Sequence, residues 1–260
     1  DHGWGSPEDS ILYSALQVFR GHSDFIRALL PPGELLAFEF RLFVVVSSKS
    51  DVGFLAESVS ESLLRQQRLD MALVFAQTAR NNLLQSADSS LSLLATLKRL
   101  GTIHRSMSKF TESEKNYLEA SELCLDDLQK ANVLRQLAET RKEKATSEID
   151  ALKCSHSPFS QALQTAEEAI ALLEPLSEKD PEDANLACSH AYARTTKANI
   201  LIEMDQTDSA VATIEKAIQL HSKAVGDSHH FVAYDYKYLG KALISKNEPT
   251  RAIPLSLIHI

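Results

Sequence analysis

LKRLGTIHRSMSKFTESEKNYLEA, residues 97–120, is the stretch on which the fold turns. Its large apolar residues Leu97 and Leu100, and Tyr117 beyond a polar joint, belong to a series of three- and four-residue steps. That spacing places side chains on one face of an α-helix. Among them stand residues of little bulk: Gly101, then Ser113 and Ala120. Two antiparallel helices approach closely only where side chains are small. A small slot on a first helix therefore faces small slots on a second, and Leu97, Leu100 and Tyr117 fill the space around the contact. The stretch reads as one helical hairpin.

The same arrangement recurs along the chain. First-helix slots fall at Ser60, Gly101, Ala138, Ala198 and Gly240, with gaps of 41, 37, 60 and 42 residues. Twelve residues after four of them comes a second-helix slot, at Ala72, Ser113, Ala210 and Ala252; in the third unit an insertion delays it to Ala162. Seven residues further on stand Ala79, Ala120, Ala169 and Ala217, and then His259. With 30 Ala in 260 residues, about one site in nine is Ala by composition, so four at five matched sites point to a repeat. A single such hairpin cannot bury its apolar faces; stacked copies make a continuous core.

Several features depart from the period. The insertion around residues 143–160 reads as a lengthened first helix followed by a loop at Ser155–Pro158. Arg194 and Lys197 stand where apolar residues are expected, which leaves open a slipped register or a weaker interface in the fourth unit. Pro158 precedes a helix, Pro175 and Pro181 follow one, and Pro249 sits in a joint, where a missing N–H costs least. Pro254 falls inside the second helix of the last unit, and LSLIHI (255–260) follows no repeat spacing.

The pattern Leu97-x2-Leu100-Gly101-x2-His104-x8-Ser113-x3-Tyr117-x2-Ala120 resembles the tetratricopeptide repeat family, as does Tyr236-x2-Leu239-Gly240-x2-Leu243-x8-Ala252. VGDSHHFVAYDYKYLGKALISKNEPTRAI (225–253) and the 41–42-residue period look like the longer repeats of kinesin-light-chain-type proteins. The resemblance spans roughly residues 53–253. It implies an all-α fold, a right-handed α-solenoid of antiparallel helix pairs, with about five hairpins over residues 53–260, the last incomplete. Residues 1–52 read as an N-terminal helical flank or the tail of a preceding domain: two short helices over 7–30, then an ambiguous segment over 31–46 taken as helix.

Composition narrows the function. A hydrophobic content of 44% supports a real core, and only 8 Gly argue against a turn-rich β fold. The balance of 27 basic against 35 acidic residues, with no basic run, argues against nucleic acid as a partner. Cys124, Cys154 and Cys188, odd in number and widely spaced, suit a reducing, cytoplasmic compartment rather than a disulfide framework. The longest apolar run, Leu42 to Val46, falls far short of the ~20 residues that span a bilayer, so no membrane partner is expected.

No phosphate-cradling loop, dinucleotide fingerprint, zinc-protease motif or nucleophile elbow is present, so a non-catalytic chain without cofactor is expected. Cys154–His156 and Cys188–His190 invite a metal reading. Residues two apart on a helix point to different sides, however, and the pairs read as small thiols and surface imidazoles. His229–His230 reads as a cap before a first helix. Glu112, Glu114, Glu119, Glu167 and Glu168 read as solvated outer faces.

In a superhelix of paired helices the first helices line the concave side. Rows three before, one after and four after each first-helix slot then face inward. They carry Lys98, Arg135, Thr195 and Lys237; Thr102, Glu139, Asn199 and Lys241; and Arg105, Lys142, Ile202 and Ile244. Basic residues dominate these rows although the chain is acidic. The expected partner-binding groove is Lys98, Arg105, Arg135, Lys142, Asn199, Lys237 and Lys241. Its ligand would be an acid-bearing protein segment, extended or helical, with apolar anchors beside Ile202 and Ile244. The resemblance implies that Asn199 hydrogen-bonds a peptide backbone. Ordinary solvated lysines would make the same rows. A sensor or autoinhibitory arm of a signalling protein, such as a nucleotide-switch ATPase, stays open, as does an all-α enzyme with a dispersed site.

Overall fold

The structure, a computed structural model, describes residues 49–84, 90–152 and 159–252. The N-terminal flank through residue 48, the loop at Ser155–Pro158 with Cys154 and His156, and the stretch containing Pro254 and His259 lie outside them. The described residues form helices and turns, without a strand. The helices are α1 (Lys49–Arg65), α2 (Leu69–Leu83), α3 (Ser90–Ser106), α4 (Phe110–Glu122), α5 (Asp127–Leu152), α6 (Phe159–Lys179), α7 (Ala184–Glu203), α8 (Thr207–Val225) and α9 (His230–Ser245). A further helix opens at Pro249, the first-turn position proline tolerates. The chain divides into two compact units, Asp1–Ile103 and His104–Ile260.

In the first unit α1 and α2 form a hairpin around the two slots. The Ser60 hydroxyl donates to the Ala72 carbonyl at 2.8 Å, a bond that only close approach of the helices permits. Ala72, Ala76 and Ala79 are fully enclosed. Gly53 marks a close contact, since a β-carbon there would come within 2.7 Å of Leu83 Cγ. On α3, Arg99 bonds Glu57 and reaches Glu61 at 2.9 Å, both on α1. A polar clamp thus spans two successive first helices.

In the second unit each helix from α4 to α9 packs on its neighbours in the chain, and the first helices α5, α7 and α9 also touch in succession. The slots Ala138, Ala162, Ala198 and Ala210 are all at 0% exposure, as are Ala120, Ala169 and Ala217, seven residues past their second-helix slots. Ala138 and Ala162 share a cluster with Ala166, Phe159 and Ile200; Ala198 and Ala210 share another with Leu201, Ile214, Leu239 and Leu243. Insertion in the third unit takes the expected form of a lengthened first helix, α5, of 26 residues.

Four joints between first and second helices share one backbone device. Gln67, Ser108, Asp205 and Asn247, each seven residues past its slot, have φ near +60°. At the first joint the Arg68 N–H reaches back to the Leu63 carbonyl (3.0 Å) and the Gln67 N–H to Leu64 (3.0 Å); the other three repeat the pair of bonds. This is the Schellman ending, in which a left-handed residue turns the chain so that main-chain groups satisfy the helix's last carbonyls. The corresponding residue of the third unit is Ala145, and α5 runs straight through it.

Three expectations are corrected. Pro175 does not follow a helix: α6 continues through it to Lys179. The carbonyl that Pro175 leaves without a helical partner belongs to Ala171, an exposed residue that water can reach. Gly240 is not a close-contact slot, since an added β-carbon would meet nothing within 4 Å. Relieving the backbone freedom of a mid-helix glycine should therefore stabilise: Gly240→Ala is expected to add about 1 kcal/mol, read from the urea midpoint, and a loss would show hidden crowding.

The third correction concerns α7. Its register has not slipped, because Ala198 is fully buried. Arg194 and Lys197 bridge instead to α6, through Glu174 (3.1 Å) and Glu167 (2.8 Å). Arg194 Nε also donates to His190 Nε2 at 3.0 Å, leaving Nδ1–H to donate to Ser177 Oγ at 3.0 Å. Burial, then the Arg194 charge, pushes the His190 imidazole down to about 4, against the pull of Glu174. His190 is thus a neutral interhelical bridge and not the surface imidazole the sequence suggested.

Candidate partner-binding cleft

The second unit holds a cleft of about 480 Å³ whose walls come only from first helices. Arg105 enters from the last turn of α3, and Arg135, Glu139, Lys142 and Glu143 from α5. Tyr192, Thr195, Thr196 and Asn199 come from α7, and His230, Phe231, Tyr234 and Tyr238 from α9. These residues share a face because successive turns of one helix bring i, i+3, i+4 and i+7 into line.

Electrostatics on the α5 side centre on Glu139. It accepts from Arg105 Nη1 at 2.6 Å, from Arg135 Nη1 at 2.7 Å and from the Thr196 hydroxyl at 3.2 Å. Burial by itself would raise the Glu139 carboxyl, but the two guanidinium charges and these bonds outweigh it and hold it below the usual range. Arg135 also lies 5.7 Å over the Tyr192 ring. Lys142 makes no ion pair among the described residues.

The other wall is aromatic. Tyr192 meets Phe231 edge-on at 5.1 Å, and Tyr234 meets Tyr238 at 5.0 Å with their hydroxyls 3.1 Å apart. Burial pushes the Tyr192 phenol up to about 12, and burial with the Tyr234 hydrogen bond raises Tyr238 further. Both stay neutral donors at physiological pH. Tyr192 rests in turn on the ring of His221 at 4.8 Å.

Beneath this wall lies a buried polar triad, in which His221 Nε2 has no hydrogen-bond partner among the described residues. His221 Nδ1 and Asp235 Oδ2 are 2.5 Å apart, and Thr195 Oγ1 donates to Asp235 Oδ1 at 2.6 Å. His221 and Asp235 are at 0% exposure and Thr195 at 2%. The triad ties α7, α8 and α9 together at one point. His229 caps α9 as expected, its Nδ1 accepting from the Phe231 N–H at 3.3 Å.

Of the seven residues expected in the groove, Arg105, Arg135, Lys142 and Asn199 line the cleft. Lys237 stands outside that lining, its ammonium 5.9 and 5.6 Å over the rings of Tyr234 and Tyr238. Lys241 pairs with Glu203 at 2.6 Å, and Lys98 belongs to the first unit. Ile202 is 5% exposed and packs in the core with Ala210 and Leu239, so it offers no anchor; Ile244 is 64% exposed. Glu114 is not a free outer carboxylate, for it bonds Arg141 at 2.7 Å and Lys144 at 3.5 Å. Sequence reasoning missed the tyrosines, although Tyr192 and Tyr234 occupy one register position, six residues before their slots.

No family model matches the chain, and no curated protein matches it. Among solved structures it is similar to the nearly identical TPR-like repeats of a protein described as a kinesin light chain of Podosopora anserina. One structure covers 82% of this chain and 95% of its own at a TM-score of 0.58 and 13% identity. A variant of the same repeats covers 78% and 91% at 0.57 and 13%. The chain is therefore all-α with hairpins of the tetratricopeptide type, a likeness of fold. Within the described residues no helix is long and apolar enough to cross a membrane.

Proposed function

We propose that the second unit is a non-catalytic protein-docking module. Its cleft takes an extended or helical segment of a partner that carries acidic residues. The observation that carries this reading is the cleft itself: four successive first helices supply all of its lining, with three cations, two carboxylates and a wall of neutral tyrosines. Aromatic rings give rigid contact area at small entropic cost, and an unpaired lysine beside them attracts a carboxylate. Because Glu139 already holds both arginines, Lys142 is the cleft cation that makes no ion pair among the described residues.

That point dictates the test. Reversing Arg135 would set a carboxylate against Glu139 and strip the Tyr192 ring of its cation, confounding binding with stability. Lys142→Glu is cleaner. It is expected to weaken binding of acidic peptides about three- to tenfold at low salt, and to flatten the salt dependence. The melting temperature should stay put. Unchanged affinity, measured by fluorescence anisotropy, would remove the acidic-partner reading.

A further inference from the structure

The two carboxylates of the cleft stand one turn apart on α5 and are not equivalent. Glu139 is fully engaged, by Arg105, Arg135 and Thr196. Glu143 lines the same cleft, yet its side chain makes no hydrogen bond and no ion pair among the described residues. It lies in the fields of Arg105 and Lys142, the two cations nearest to it in charge effect. The groups facing it across the cleft are Arg105 from α3, Arg135, Glu139 and Lys142 from its own helix, Tyr192 from α7, and His230, Tyr234 and Tyr238 from α9.

We propose that Glu143 is a built-in competitor for the acidic ligand: a carboxylate of the chain itself that occupies the field of Arg105 and Lys142, so that neutralising it strengthens docking. The proposal rests on the docking reading above and names the residue that tunes it. An incoming carboxylate gains from Lys142, the cation that Glu139 does not hold, only what repulsion from Glu143 leaves. Glu139 does not act this way, because its charge is spent holding two guanidinium groups in place.

The same geometry makes docking pH-dependent. Burial raises the Glu143 carboxyl and Glu139 adds to the rise, against the opposing pull of Arg105 and Lys142. As pH falls through that raised value, the cleft loses a negative charge. An acid of fixed charge then binds more tightly.

The experiment uses the full chain and a short peptide alternating cysteic acid with leucine, whose sulfonates keep their charge throughout, labelled with tetramethylrhodamine, a dye that does not titrate over the range used. His230→Gln is present in every protein, so that an imidazole at the cleft does not contribute to the slope. At about pH 7.5 and low salt Glu143→Gln is expected to bind about three- to tenfold more tightly than the Glu143 protein, and the Glu143 protein is expected to tighten toward it as the pH falls to about 5. Glu143→Gln should start at the tight limit and show no slope. Binding by the glutamine variant alone would also support the competitor. Equal affinity and equal slope in the two proteins would overturn it while leaving the docking reading intact. Binding by neither would overturn both.

Discussion

Replacing Asp235 by alanine is expected to cost the second unit about 1–3 kcal/mol, read as a fall in the urea midpoint or melting temperature. The carboxylate is wholly enclosed and satisfies two groups at once, the His221 imidazole and the Thr195 hydroxyl. Its removal strands a buried imidazole on α8 without its protein partner. The penalty is that of an orphaned polar group, larger than the net worth of the bond itself. Converting both members of the pair, Asp235→Leu with His221→Leu, should cost less than the two single changes together, because the imidazole and the carboxylate leave together and the Thr195 hydroxyl keeps the Ala191 carbonyl, 3.1 Å away, as its acceptor. A loss below about 1 kcal/mol for Asp235→Ala would mean that the three helices are not joined through this point.

Ala210→Leu is expected to cost about 1–3 kcal/mol through overpacking, whereas Ala212→Leu, two residues along the same helix, should stay within about 0.5 kcal/mol. Ala210 has no exposed surface and lies against Ala198, Leu201, Ile214 and Leu239. Ala212 faces solvent. The comparison holds composition and helix propensity constant and varies only where the added isobutyl group must go. Equal effects on urea unfolding would show that the helices are not nested where the small residues fall.

The hairpins were legible because bulk is a property of each residue by itself. A row of Ala, Ser and Gly at a fixed interval states where helices can touch, and the enclosure of Ala72, Ala138, Ala198 and Ala210 follows from it. Gly240 shows the limit of that logic: a small residue permits close approach but does not supply the neighbour. The cleft was legible in outline, since the rows facing inward were derived from the hairpin geometry. Its charge was not. Counted as one acid among many bases, Glu139 looked negligible, yet its two oxygens capture Arg105 from 34 residues away and Arg135 from the preceding turn. The buried triad was harder still, because His221 and Thr195 stand 14 and 40 residues from Asp235 and only tertiary packing brings them together. Tyr192 and Tyr234 lay one turn beyond the rows considered, and extending each row back to six before the slot would have found them.

The four left-handed joints have a consequence for how such a chain can be rewritten. Their bonds run from amide to carbonyl, so the corner is drawn by the main chain, whatever side chain it carries. Gln67, Ser108, Asp205 and Asn247 have little in common beyond polarity, and they bend the chain alike. A surface lettered almost at will can thus hang on corners of fixed shape, and a designer could graft new recognition residues beside these bends without redrawing the scaffold that presents them.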